Sequence, residues 1–326
     1  MRKTFLLAAA SVALFAGAAS AQSVTVNGSY LHNASGSPQT ANVSIDGITV
    51  GSALTGRAIA MGTSLEVNAA DNIFVPGRVD QLNGPAGGQT ANLSVNGAVV
   101  GRDTSFTGTA GGNSANLSAD DSLSVTGLRQ SNTVRQNANV SIESTSVSGD
   151  LAGGATAFGN AISGESVYGG VTVTNGANFQ QSNVGAQLAN TTVFGGNAFA
   201  RDTDLRSLAV GGIIEYDSAQ SGSYAIEQAN GRGSNYFGLD GYQGSSQTAN
   251  LTVFGGSNFN GKTNLAASAF GGVVNLSAGG NIVAGVTTQN HNSAQVSNLS
   301  IAGSSFGSLT GAAQSIGTSV SINTRP

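Results

Sequence analysis

From residue 22 onward the chain alternates apolar and polar positions in short runs. Asn42-Val43-Ser44-Ile45, Asn250-Leu251-Thr252-Val253 and Val274-Asn275-Leu276 place β-branched or apolar side chains at every second position, with Ser, Thr or Asn between them. A period of two is the signature of a strand with one buried and one solvated face. Gly, Asn and Asp punctuate the runs and supply the positive φ values of tight turns. No stretch after residue 21 holds an apolar face at 3.6-residue spacing. The pattern predicts an all-β chain.

The strands belong to a repeat. Gln39-Thr40-Ala41-Asn42-Val43-Ser44-Ile45 returns as Gln89-Thr90-Ala91-Asn92-Leu93-Ser94-Val95 and again from Gln136, Gln187, Gln247 and Gln295, at intervals of 50, 47, 51, 60 and 48 residues. A glycine follows each Gln by 22 to 24 residues, as in Ala157-Phe158-Gly159-Asn160 and Ala269-Phe270-Gly271-Gly272. Six ~50-residue repeats, each of two half-units, predict a repetitive β-solenoid, since one unit cannot bury its apolar side alone but a stack can. With one rung per half-unit, twelve rungs at ~4.8 Å spacing would make a rod of about 60 Å. Stacking would align Gln39, Gln89, Gln136, Gln187, Gln247 and Gln295, and likewise Asn42, Asn92, Asn139, Asn190, Asn250 and Asn298, as amide ladders. The register favours that role for the asparagines over glycosylation, although they also fit Asn-x-Ser/Thr.

Composition narrows the class. The 326 residues include 48 Gly and no Cys or Trp, and only 9% are charged. A disulfide scaffold, a cysteine zinc site and a thiol enzyme are excluded. A formal net charge of −4 with no basic run beyond the N-terminus argues against a nucleic-acid partner. Residues 1–21 read as a signal peptide: Arg2 and Lys3 precede an apolar stretch from Phe5 to Ala18, and Ala19-Ser20-Ala21 is a small-x-small cleavage site. The expected mature domain is 22–326, exported to the outer-membrane surface or beyond.

Gly111-Gly112-Asn113-Ser114-Ala115, Gln130-Ser131-Asn132 and Gln136-Asn137-Ala138 resemble the repeats of curlin, the bacterial amyloid subunit. Ala-Thr-Ala-Phe-Gly-Asn at 155–160, set among Gln-x-x-Asn phrases, resembles the holdfast-anchor proteins of stalked alphaproteobacteria. The resemblance, one of repeat style over most of 22–326, implies curlin-like stacked strand-turn-strand rungs. It also implies a surface protein that ties an adhesive polysaccharide to the outer membrane.

Candidate chemistry is sparse. His32 and His291, the only histidines, lie in the first and last repeat regions, which a linear stack keeps apart. Asp202 and Asp204, flanked by Arg201 and Arg206, are the one group that resembles a calcium turn or a polysaccharide-cleaving pair, but neighbouring repeats do not copy them. The regular Thr-x-Thr ladder of an ice-binding solenoid is missing, and Thr172-Val173-Thr174 is isolated. No catalytic residue, metal site or cofactor is expected. The long fourth interval places an insertion at 216–244 that holds Tyr216, Tyr224, Tyr236, Phe237 and Tyr242. Aromatics on a protruding loop can stack on sugar faces; the alternative is a loop folded over the flank, covering apolar side chains. Open solenoid ends expose strand edges unless residues 23–38 and 319–326 cap them. The expected partners are therefore the chain itself, stacked end to end, outer-membrane anchoring proteins and extracellular polysaccharide. A monomeric carbohydrate-binding protein and a solenoid polysaccharide-degrading enzyme are the rival readings.

Overall fold

The computed structural model describes residues 23–26, 31–77, 79–84, 87–174, 180–232 and 244–325. The expected signal peptide at 1–21 lies outside the described residues. All regular structure among the described residues is β, wound as a parallel β-solenoid with three sheets.

The turn from 136 to 183 shows the plan. Gln136–Glu143 lies in the first sheet, Ser146–Val147 and Leu151–Ser166 in the second, and Val171–Val173 with Gln181–Asn183 in the third. The chain then re-enters the first sheet at Ala186–Phe194, where Gln187 pairs in parallel with Gln136. The whole repeat is thus one turn. The expectation of twelve rungs is corrected: the two half-units are successive parts of the same turn, and the first sheet has six strands. Six strands are separated by five spacings of ~4.8 Å, which gives a stack about 24 Å from the first strand to the last.

The sixteen-residue strands of the second sheet divide the cross-section into two lobes. Their first halves pack on the first sheet, so that Leu151, Ala155 and Ala157 share a core with Ala138, Val140 and Ile142. Their second halves pack on the third sheet, where Ile162 meets Val171 and Val173. Residues 155 and 157 therefore point inward on one side of Gly159, and 160 and 162 on the other. This parity switch is what the repeated glycine marks. Gly62, Gly112, Gly159, Gly211, Gly271 and Gly317 form a column at the bend, and a Cβ on Gly62 would stand 2.5 Å from the carbonyl oxygen of Gly112 and 2.7 Å from Asn83 Oδ1. No side chain fits there. Outside the bend, Phe158, Ala161, Val210 and Ile213 close into a small separate apolar cluster.

The corner after the first sheet has a second column, at Gly47, Gly97, Ser144, Gly195, Gly255 and Gly303, each with φ between 48° and 85°. Left-handed backbone explains the glycines; Ser144 is the exception, at φ 48°. Inside the first lobe, Phe199, Phe259 and Phe306 lie above one another on successive turns, the first two tilted with ring centroids 4.9 Å apart and the last two stacked at 4.8 Å.

The insertion is shorter than 216–244. Tyr216 pairs with Gly164 and Leu276, and Tyr224 with Val173 and Ala284, as ordinary turn positions. The excess falls after Asn230, which pairs with Asn183: Gln187 lies four residues past Asn183, whereas its counterpart Gln247 lies seventeen past Asn230. The proposed caps are corrected too. Val24–Thr25 and Leu31–Ser35 pair with Ile73–Phe74 and Val79–Asn83 as strands of the third sheet. Residues 319–324 continue the outermost strand of the second sheet, paired in register with 273–278.

Candidate functional site

Tyr216 and Tyr224 belong to the core of the second lobe, not to a protruding loop. Both are 2% exposed, and their rings stack with centroids 6.0 Å apart. Alternation decides this: on their strands they occupy the inward parity, between Ile214 and Ser218 and between Gly222 and Ile226, all buried. The Tyr224 hydroxyl donates to the carbonyl of Ser277 at 3.2 Å. Burial pushes its pKa up to about 12, with the charge of Asp217 adding to the effect. Tyr216 is raised further, by burial and then by Tyr224, and its hydroxyl has no hydrogen-bond partner among the described residues. Tyr236, Phe237 and Tyr242 lie outside the described residues.

The glutamines and asparagines of the repeated phrase do come together, and in two different settings. Gln89 donates to Gln39 at 2.6 Å, and Gln136, Gln187, Gln247 and Gln295 each donate to the preceding glutamine at 2.8 Å. Of these, Gln89, Gln136, Gln187 and Gln247 are fully buried. Asn92, Asn139, Asn190, Asn250 and Asn298 each donate to the preceding asparagine at 2.8 Å, on the outer face of the first sheet. All of these bonds run the same way: each amide nitrogen points toward the N-terminal end and each oxygen toward the C-terminal end.

Sequence reasoning did not find the rest of the amide layer. Gln130, Gln181 and Gln228 donate along a second buried column to Gln81, Gln130 and Gln181 at 2.8, 3.0 and 2.8 Å. Asn83, Asn132, Asn183 and Asn230 make a third, each donating to the next asparagine toward the C-terminus at 2.7 to 2.8 Å. These residues fill the waist between the two lobes, where a polar layer is stable only if its members are bonded. The signal was available: Gln-x-Asn recurs at 81–83, 130–132, 181–183 and 228–230.

The outer face of the first sheet is a shallow groove lined by Asn139, Ser141, Asn190, Thr192, Asn250, Thr252 and Asn298. Its amides and hydroxyls repeat at the turn spacing. The Asp/Arg cluster is less organised: Arg206 forms a two-point ion pair with Asp204 at 2.7 and 2.9 Å on the exposed surface, while Asp202 accepts the backbone N–H of Lys262. His32 lies in the first described turn, and His291 follows the strand Ile282–Asn290, at opposite ends of the stack. Among the described residues no three His, Asp or Glu side chains gather closely enough to hold a metal ion.

The two ends are the remaining feature. Leu251, Val253 and Phe259 are fully buried, whereas their counterparts one turn later, Leu299, Ile301 and Phe306, are only partly covered. At the other end Ala41, Val43 and Ile45 are partly covered where Ala91, Leu93 and Val95 are buried. Among the described residues, nothing pairs with the outer edges of Gln39–Asp46 or Ser293–Ala302. Compared with protein-family models, curated proteins and solved structures, the chain has no match in any of the three.

Proposed function

We propose that this chain is an exported, non-enzymatic structural protein of the outer-membrane surface. In this reading it helps to anchor an adhesive matrix, such as a holdfast polysaccharide, and assembles with itself in the curlin manner. The observation that carries the reading is the pair of open ends, where apolar side chains and backbone edges await a further turn. Native proteins usually blunt such edges with charge, proline or a covering segment. The strands from 293 to 324 contain no Asp, Glu, Lys, Arg or Pro. The resemblance to holdfast-anchor and curlin repeats supports the anchoring role, and the apolar segment at 1–21 supports export.

The test is deletion of the gene combined with surface proteolysis. The reading expects protease applied to intact cells to degrade the chain, and cells lacking it to shed their adhesive matrix. A chain retained inside the cell, or unchanged attachment without it, would refute the reading. The second reading, a monomeric carbohydrate-binding protein, is favoured by the groove of repeated Asn, Ser and Thr on the first sheet. It predicts polysaccharide binding by a chain that stays monomeric.

A further inference from the structure

The described strands at the two ends are complementary parts of one turn. The N-terminal end begins in the third sheet, with Val24–Thr25 and Leu31–Ser35, and shows no earlier strand in the other two sheets. The last described strands are Ser293–Ala302 in the first sheet and Ser305–Thr324 in the second, with no later strand in the third among the described residues. We propose that two copies join head to tail by completing this turn between them. The C-terminal strands of one copy supply its first and second sheets, and the N-terminal strands of the next supply its third. This rests on the self-assembling reading above and specifies the partner and its register.

Three observations fix the register. First, the sequence matches itself across the joint. Continuing the observed pairing by one turn sets Gln295 against Gln39, Asn298 against Asn42 and Ile301 against Ile45 of the second copy. It also sets Gly317 against Gly62 and Thr318 against Thr63, so the glycine column at the bend continues unbroken. Second, the exposed amide ladder has a direction. Asn298 has spent its nitrogen on Asn250, leaving its oxygen toward the open end, while Asn42 has accepted from Asn92 with its oxygen, leaving its nitrogen toward the other. Head-to-tail contact pairs donor with acceptor. Like ends would face donor with donor, or acceptor with acceptor.

Third, the missing strand has a place waiting. Among the described residues nothing pairs with the outer edge of Ile282–Asn290 in the third sheet, and the next copy's Val24 would pair with Ile282 there, as Ile282 pairs with Gly222. Each copy adds five complete turns and one shared turn, a rise of about 29 Å at ~4.8 Å per turn.

The chain has no cysteine, so engineered thiols report the contact cleanly. Asn42→Cys and Asn298→Cys are made separately, both at exposed, outward-facing positions, and each is checked for native circular dichroism. Adjacent parallel strands would hold the two Cα atoms ~4.8 Å apart, within disulfide reach. Under mild oxidation the mixture should give covalent dimers that neither variant gives alone, and the double variant should give a series of covalent oligomers. Pairing Asn298→Cys with Ser44→Cys, two residues out of register, should give several-fold less. Dimers forming equally well from a single variant, or a mixture that never cross-links, would overturn the shared turn. The anchoring reading is judged separately. If the mixture fails to cross-link but gene deletion still sheds the matrix, only the shared turn falls.

Discussion

Asn132 and Gln136 close a two-bond amide pair: each side-chain nitrogen donates to the other's oxygen at 2.9 Å. The same side chains also bond to Asn183 and Gln89 on neighbouring turns. The waist of the solenoid is thus cross-linked along the axis and across it. This explains why Gln-x-Asn and the next Gln are tied together: they are two rails of one buried ladder.

Removing a buried rail should cost more than removing an exposed one. Gln136→Ala removes four side-chain bonds from the waist, one each with Gln89 and Gln187 and two with Asn132, at about 0.5–1.5 kcal/mol per bond. Asn139→Ala, on the outer face, leaves groups that water can reach and should cost about 1 kcal/mol or less. Chemical denaturation of both variants checks the order, and equal losses would count against a buried amide layer.

The glycine column predicts a steric rather than a conformational defect. In Gly112→Ala the new methyl would press on the Asn132 side chain and the carbonyl of Gly159. Displacing them should destabilise the fold by about 1–3 kcal/mol or more, as overpacking does. Ser144→Gly should act the other way. It relieves a left-handed serine in a column otherwise made of glycine, with an expected gain of about 0.5–1 kcal/mol. Thermal melts of the two variants should shift in opposite directions.

The tyrosine pair sets an alkaline limit. In the unfolded chain a tyrosine ionises near pH 10, while Tyr224 in the fold is pushed up to about 12 and Tyr216 is raised as well. The unfolded state therefore gives up its protons first, and the stability from keeping these phenols neutral is lost as pH rises through 10 to 12. Tyr216→Phe removes one titrating group and no hydrogen bond, so it should fold as well as the parent and lose less stability over that window. Tyr216→Ala should cost about 3–5 kcal/mol, as other large-to-small core changes do. Denaturant titrations at pH 8 and pH 11 measure both effects.

The aromatic cluster at 236–242 can be tested apart from the core tyrosines. If these residues grip polysaccharide, changing Tyr236, Phe237 and Tyr242 together to Ala should weaken binding to the matrix and leave the melting temperature within a degree or two. Unchanged binding would leave the grooved face of the first sheet as the candidate for contact with carbohydrate.

Periodicity carried most of this architecture because a solenoid repeats its chemistry at every turn. The Gln and Asn columns were legible from six aligned copies, and the alternation named the inward residues of the first sheet. Turn length was not legible. A strand of sixteen residues that serves two cores looks, in sequence, like two half-units, and only the column at Gly159 reveals that they share one strand. The fate of Tyr216 was hidden for a related reason. A long repeat interval does not say where its extra residues lie, and parity along Thr203–Ser218 turns that ring inward.

The most direct test of the account is electron microscopy of the purified chain, imaged fresh and again after a day at moderate concentration. Head-to-tail completion of the shared turn predicts unbranched fibres that lengthen with time and carry an axial repeat of about 29 Å, six spacings of ~4.8 Å. Short rods of unchanging length, monomeric at every concentration, would contradict it.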